Sequence, residues 1–218
     1  MTPRPGEPRE QLTRERIVRT ALEIVDRDGL PALSMRRLGA DLGVDPMAVY
    51  YYIPSKDALL DAIVEAVMSE IDVAIDDPEA PTEERVLRAA FAYRDVLLAH
   101  ANALPMLLVR SPSTPAGLRP VEALLGILRD SGLPPNQAVA GMNAISAAVR
   151  GTVAMFAGRP IVEPTPDAIA AFAEQLPAGE LPNLREAALC PSDPVADFEF
   201  GIRALARGLF ATGGERSQ

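Results

Sequence analysis

Histidine and cysteine each occur once in this chain of 218 residues, as His100 and Cys190, and tryptophan is absent. One cysteine excludes an internal disulfide. One cysteine with one histidine excludes a zinc finger or any other Cys/His metal cluster. The same scarcity argues against an enzyme, since the two residues lie far apart in sequence and neither a G-x-S-x-G turn nor a phosphate loop occurs. Carboxylates alone could do acid–base work, but no pair of them stands out. No run of about 18 apolar residues and no secretory leader pattern are evident. A cytoplasmic protein with no cofactor, no metal and no membrane partner is expected.

Lysine is almost missing too: Lys56 is the only one. The net charge of −9 argues at first against a nucleic-acid partner. Its distribution matters more than its sum. Residues 1–56 carry 9 Arg/Lys against 8 Asp/Glu, whereas residues 57–218 carry 12 against 22. The acidic excess therefore lies wholly outside the first part of the chain.

What is abundant is hydrophobic helix-forming sequence: 48% of residues are hydrophobic, and no segment with strand periodicity or internal repeat stands out. The chain is organised around Ser34–Lys56, SMRRLGADLGVDPMAVYYYIPSK. Leu38, Leu42, Val44 and Val49 supply apolar contacts between two short helices. Gly43 suits the turn, where positive φ relieves strain. Asp45 is an N-cap followed by Pro46 at the first helical position, and Pro54 stops the helix before Ser55 caps the next. This is the pattern of a helix-turn-helix that places side chains in a DNA major groove.

Around that stretch the remainder reads as helices. Residues 1–10, with three prolines, read as a disordered arm whose Arg4 and Arg9 either touch DNA or, more commonly for a terminus, stay solvated. The first helix starts at Thr13 and ends at Asp28-Gly29. The third runs from Pro46 to Ile53, and a fourth from Ser55 to Ile75. Later helices are expected at 82–100, 104–109, 116–130, 136–157, 165–175 and 195–211, with 177–194 as a Pro-rich connection. The domain boundary is placed inside the fourth helix, giving 11–60 as the DNA-binding unit and 61–218 as a ligand-binding and dimerisation unit.

Thr13-Arg14-Glu15-Arg16-Ile17, Ala21-Leu22, Gly29, Ser34-Met35-Arg36-Arg37-Leu38, Leu42-Gly43-Val44, Tyr50 and Pro54-Ser55-Lys56-Asp57-Ala58-Leu59-Leu60 occur in the order found in TetR-family transcriptional repressors. The first 75 residues resemble that family. Tyr93-Arg94-Asp95 with His100, and Phe198-Glu199-Phe200-Gly201-Ile202 with Gly208-Leu209, are similar to its tetracycline-repressor branch. The resemblance implies an all-α homodimer with an N-terminal three-helix reader. It also implies a C-terminal helical domain that encloses a small-molecule pocket and releases a palindromic operator when the pocket is filled.

The resemblance assigns Arg36 to a guanine, whose two major-groove acceptors suit a guanidinium fork; phosphate or solvent contact is its alternative. For Arg37, solvent comes first and phosphate positioning second. Pro46, Met47 and Ala48 can press on thymine methyls but offer no side-chain hydrogen bonds to bases. The branch carries a polar amide where this chain has Pro46, so a different operator is implied. Tyr50 matches a DNA-backbone contact, while Tyr51 and Tyr52 divide between DNA and packing, with at least one of the three tyrosines expected in the core. Lys56 can add charge to a phosphate held at a helix N-terminus. With Ser34 these form the candidate DNA-contacting set.

His100 matches a metal-contacting position of the tetracycline repressors, but Asp72 stands about where that branch has a second ligand-reading histidine. A neutral hydrogen-bonding role for His100, or packing at the end of its helix, is therefore expected. Leu104, Met106, Leu107, Met142, Met155 and Phe156 are the expected apolar pocket lining, or else plain core. Arg150, amid small residues, either pairs with a carboxylate or faces the pocket. The helices 136–157 and 195–211 are the expected dimer elements, with Phe198, Ile202, Leu205 and Leu209 facing either a partner or the chain's own core. Two other readings stand beside the repressor: a small-molecule-binding α-helical enzyme, and an architectural DNA binder without an effector.

Overall fold

The computed structural model describes residues 11–74, 76–156, 165–177, 179–190 and 193–214. Arm residues 1–10, with Arg4 and Arg9, lie outside them, as do Ile75 and Ala157. The described residues form eleven α-helices and two short 3-10 turns, with no strand among them.

Four caps place the first four helices. In α1 (Arg14–Asp28) the Thr13 hydroxyl accepts from the Arg16 amide, and Gly29, at φ 82°, ends the helix. Ser34 accepts from Arg37 N to start α2 (Met35–Leu42), and Asp45 accepts from Met47 N to start α3 (Pro46–Tyr52). Ser55 accepts from Ala58 N to start α4 (Lys56–Ser69). Each side chain satisfies an amide that has no partner inside its helix, worth about 1 kcal/mol. Between α2 and α3, Gly43 takes the left-handed region (φ 69°, ψ 31°), and Val44 N donates to Gly39 O at 2.9 Å. That paired closure returns the chain sharply enough for α3 to cross α2.

The fourth helix stops six residues before the expected Ile75. The Asp72 carboxylate captures Ala74 N at 2.8 Å, a local bond that competes with continuing the helix. Ile71 nevertheless stays buried.

The remainder comprises α5 (Thr82–Ala99), α6 (Leu104–Leu107), α7 (Pro115–Asp130), α8 (Pro135–Phe156), α9 (Pro166–Gln175), α10 (Pro182–Ala188) and α11 (Pro194–Gly214). The expected connection 177–194 thus contains a helix, begun by Pro182 at its first position, where the missing N–H costs nothing. α4 packs on α1 on one side and on α7, α5 and α6 on the other. One apolar cluster therefore runs from the first helix to the last. Among the described residues Arg85 is the buried charge beside it, held by Asp76 at 2.8 Å and Asp130 at 3.0 Å. Its bonds to Arg85 hold the Asp76 carboxyl below the usual range.

Of the α11 stripe, Phe198 and Ile202 are buried in the chain's own core with Ala206, and Leu209 abuts Gly141 of α8, whereas Leu205 is only half-buried. α8 also holds an 18-residue window of mean hydropathy 1.2, which meets the length and composition of a membrane-crossing helix. Small residues give that value; Ala138, Gly141, Ile145, Val149 and Val153 pack inward.

Gly39 is the tightest point of the turn. A β-carbon there would lie 3.0 Å from Val44 O, 3.1 Å from Pro46 N and 3.2 Å from Pro46 Cα, all backbone atoms. Gly39→Ala is expected to destabilise the protein by about 1 kcal/mol in urea titration, overpacking of roughly 1–3 kcal/mol outweighing the helix propensity gained. An unchanged midpoint would show that the turn yields.

Candidate nucleic-acid interface and cavity

Val49 and Ile53, four residues apart, anchor α3 in the core at 0% and 1% exposure. Those two positions turn the rest of the helix outward. Met47, Tyr50, Tyr51 and Tyr52 are exposed, and Tyr51 and Tyr52 meet edge-to-face at 5.3 Å. The expectation that one tyrosine would enter the core is corrected: aliphatic residues take the inward positions. Pro46 and Ala48 are half-buried beside them. Ser34 is exposed, but its hydroxyl is spent on the Arg37 amide at 3.2 Å.

The two adjacent arginines of α2 differ. Arg37 reaches Asp28 at 2.6 Å and Asp41 at 3.8 Å, and Arg27 shares both carboxylates. Arg36 is exposed and engages no carboxylate among the described residues. Its guanidinium is the one of this pair available to an outside acceptor. Lys56, at the first position of α4, is also exposed.

His100 lies at the junction of the two halves. Its Nδ1 is 2.9 Å from Asp26 Oδ2 of α1, and its Nε2 is 2.8 Å from Glu70 Oε2 at the end of α4. Asn102 donates to the Asp26 carbonyl at 2.7 Å. A neutral imidazole has one N–H to donate, so both carboxylates are served only by the imidazolium. Burial pushes the His100 pKa down, but the bonds to Glu70 and Asp26 outweigh it and the net displacement is upward.

A cavity of about 630 Å³ opens between the end of α4, α5, α7 and α8. Met68, Ile71, Leu118, Leu124, Ile127 and Met142 supply apolar wall; Asp72, Tyr93, Asn143, Ser146 and Arg150 supply polar groups. Arg150 both faces the cavity and donates from Nε to the Tyr93 hydroxyl at 2.6 Å, rather than pairing with a carboxylate among the described residues.

Of the expected lining, Met142 and Arg150 are brought together there, and six residues are placed elsewhere. His100 is drawn to Asp26 and Glu70. Leu104, Met106 and Leu107 are buried at 4%, 2% and 2%, because α6 packs on α4 and drives them into the core. Met155 is 67% exposed and Phe156 half-buried. With about 100° per residue, the face of α8 that shows Arg150, Gly151 and Ala154 to the cavity turns the next two positions away. Tyr93, Leu118, Leu124 and Ile127 were not anticipated as lining. Tyr93 carried some signal, as a hydroxyl among apolar helical positions; the α7 residues look like ordinary core.

The profile described as "Bacterial regulatory proteins, tetR family" matches residues 17–63, and that of the "Tetracyclin repressor-like, C-terminal domain" matches residues 76–212. The chain is a TetR-family transcriptional regulator. It is accordingly a DNA-binding protein and not an enzyme. An "HTH-type transcriptional regulator" of Saccharopolyspora erythraea is 29% identical to it, the match covering 93% of this chain and 86% of that one. Apo ActR from Streptomyces coelicolor superposes with a TM-score of 0.84 at 32% identity, over 95% of this chain and 99% of that one. ActR in complex with actinorhodin gives 0.82 at 31%, over 94% and 100%.

In this TetR-family regulator the cavity is tied to α4 by polar contacts. Leu108, Ser111 and Pro112 line it, and the same segment holds Arg110, which reaches Asp57 at 2.8 Å and Asp61 at 2.5 Å. Glu65 accepts from the amides of Ser113 and Thr114 at 2.5 and 2.9 Å, and from their hydroxyls at 3.0 and 2.6 Å. Asp57, Asp61 and Glu65 recur every four residues, so one edge of α4 grips the segment that walls the cavity.

The His100 junction carries a pH signature. A raised native pKa makes its contribution to stability complete below about 6.5 and lost as the pH rises through the raised value. The difference in urea midpoint between wild type and His100→Gln is expected to be larger at pH 6 than at pH 9. A difference independent of pH would mean that the imidazole does not change charge there.

Proposed function

We propose that this regulator is a repressor that binds a palindromic operator as a homodimer and is released by a small, mostly apolar effector. The observation that carries this reading is that one helix, α4, bears Lys56 at the reader and the carboxylates that hold the cavity wall. A ligand that displaces the 108–114 segment pulls on α4, and with it the spacing of two readers. The boundary between units 11–60 and 61–218 then lies inside α4, which carries the motion from one to the other. An architectural DNA binder has no use for such a cavity. ActR's binding of actinorhodin supports a small-molecule effector for a protein of this shape. A cytoplasmic location follows from this role.

At the operator, Arg36 reads a guanine and Met47, with Pro46 and Ala48, packs on thymine methyls. Tyr50 and Lys56 hold phosphates, Tyr51 and Tyr52 line the groove edge, and Arg37, tied to Asp28, acts mainly on α2 itself.

The dimer forms through α8 and α11. Gly201 and Gly208 of α11 have open space where a side chain would be, and Phe200 is 77% exposed beside them. Only 22% of the apolar α8 window is buried within one chain. Small residues on two such helices let the axes of a second copy come close.

Anisotropy with DNA from upstream of the protein's own gene tests the reading. Arg36→Ala is expected to lose roughly 1–3 kcal/mol on that DNA and to relax specificity at one base pair. Lys56→Ala should weaken all sequences alike and flatten the salt slope by about one unit. Equal losses on specific and random DNA for both variants would refute this assignment. In sedimentation, Phe200→Asp is expected to give a folded monomer with operator affinity at least tenfold lower; a variant that still sediments as a dimer would rule out this interface.

A further inference from the structure

We propose that the effector carries one acidic oxygen group, a carboxylate or an ionised enol or phenol, which docks on Arg150 and Tyr93. The inference rests on the cavity being the effector site and goes beyond it in naming the chemistry that site selects.

Among the described residues two arginines face the cavity, and their situations differ. Arg85 is spent: Asp76 takes its Nε and Nη2 at 2.8 Å each, and Asp130 takes Nη1 at 3.0 Å. Arg150 has only its Nε engaged, by the neutral Tyr93 hydroxyl at 2.6 Å, and finds no carboxylate among the described residues. Its guanidinium carbon lies 5.9 Å from the Tyr93 ring centroid. A half-buried guanidinium beside apolar wall is costly without a counter-charge, and the cost is relieved by an anion that enters with the ligand.

Tyr93 also points to an oxygen ligand. Because its oxygen accepts from Arg150, its own hydrogen is left to donate. The remaining guanidinium edge and this hydroxyl together present several donors to one acceptor group, the arrangement that favours an ionised oxygen over a neutral one. Asn143 and Ser146 continue a polar line along α8 from the same point, while the facing α7 wall of Leu118, Leu124 and Ile127 is apolar. Asp72, also on the cavity lining, brings a carboxylate that repels a second anionic group. The favoured ligand is therefore an apolar body with one acidic end.

The test uses full-length protein, with N-phenyl-1-naphthylamine fluorescence as the reporter of the cavity. Biphenyl-4-carboxylate and biphenyl-4-methanol, similar in shape and differing in charge, compete for it. In wild type the carboxylate is expected to displace the reporter at least tenfold more strongly than the alcohol. In Arg150→Met the ratio falls to about one, Arg150→Lys recovers part of it, and Tyr93→Phe lowers it severalfold. Circular dichroism verifies folding, and Arg150→Gln serves if the methionine variant unfolds. A reporter that binds but shows no preference for the acid, or a preference that survives loss of Arg150, overturns the acidic-end assignment and leaves the cavity reading standing. A wild-type protein that binds none of the three compounds overturns both.

Discussion

Everything in this molecule depends on α4 being buried on two sides at once. Leu59, Ala62, Ile63, Val64, Val67 and Met68 are all buried along it. α4 packs on α1 and so closes the core of the reader, in which Ile17, Ile24, Leu38 and Val49 are buried. It also packs on α7, the helix that walls the cavity. Fully burying such an aliphatic side chain stabilises by about 1.5–3 kcal/mol, so neither neighbour can drift from α4 without a cost. A close-packed interface of this kind responds by shifting as a body, which is what a signal between cavity and reader requires.

The polar contacts refine that coupling. Asp57, Asp61 and Glu65 grip the 110–114 segment along one edge of α4, and Glu70 meets His100 just past its end. His100 in turn holds Asp26 of α1. The reader is thus linked to the effector domain by two routes with different physics: apolar packing along the helix, insensitive to pH, and an imidazolium bridge that weakens as the medium becomes alkaline.

Charge at the reader is managed locally. Asp28 and Asp41 neutralise Arg27 and Arg37, while Arg36 and Lys56 are among the cations that face outward. That accounts for a DNA-binding unit with almost no net charge.

The caps, turns and starts of the early helices were legible because each depends on neighbours within four residues: Thr13, Ser34, Asp45 and Ser55 accept the amides their positions imply. The family was legible for the same reason, its motifs being local. The cavity was legible only in part. Arg150 stood out as a charge amid small residues, and Met142 as a soft apolar side chain, whereas Leu104, Met106 and Leu107 have the same apolar character as a lining and turn out to be core.

By itself the sequence determined the all-α class and the helix-turn-helix, since helix periodicity and capping are properties of short stretches. Only the tertiary structure decided which face of α5, α7 and α8 meets the cavity, that His100 bridges two carboxylates from 74 and 30 residues away, and that Tyr93 orients Arg150. Those contacts are set by the angles at which helices cross. Those angles are chosen by the packing of all the helices together, and no single stretch encodes them.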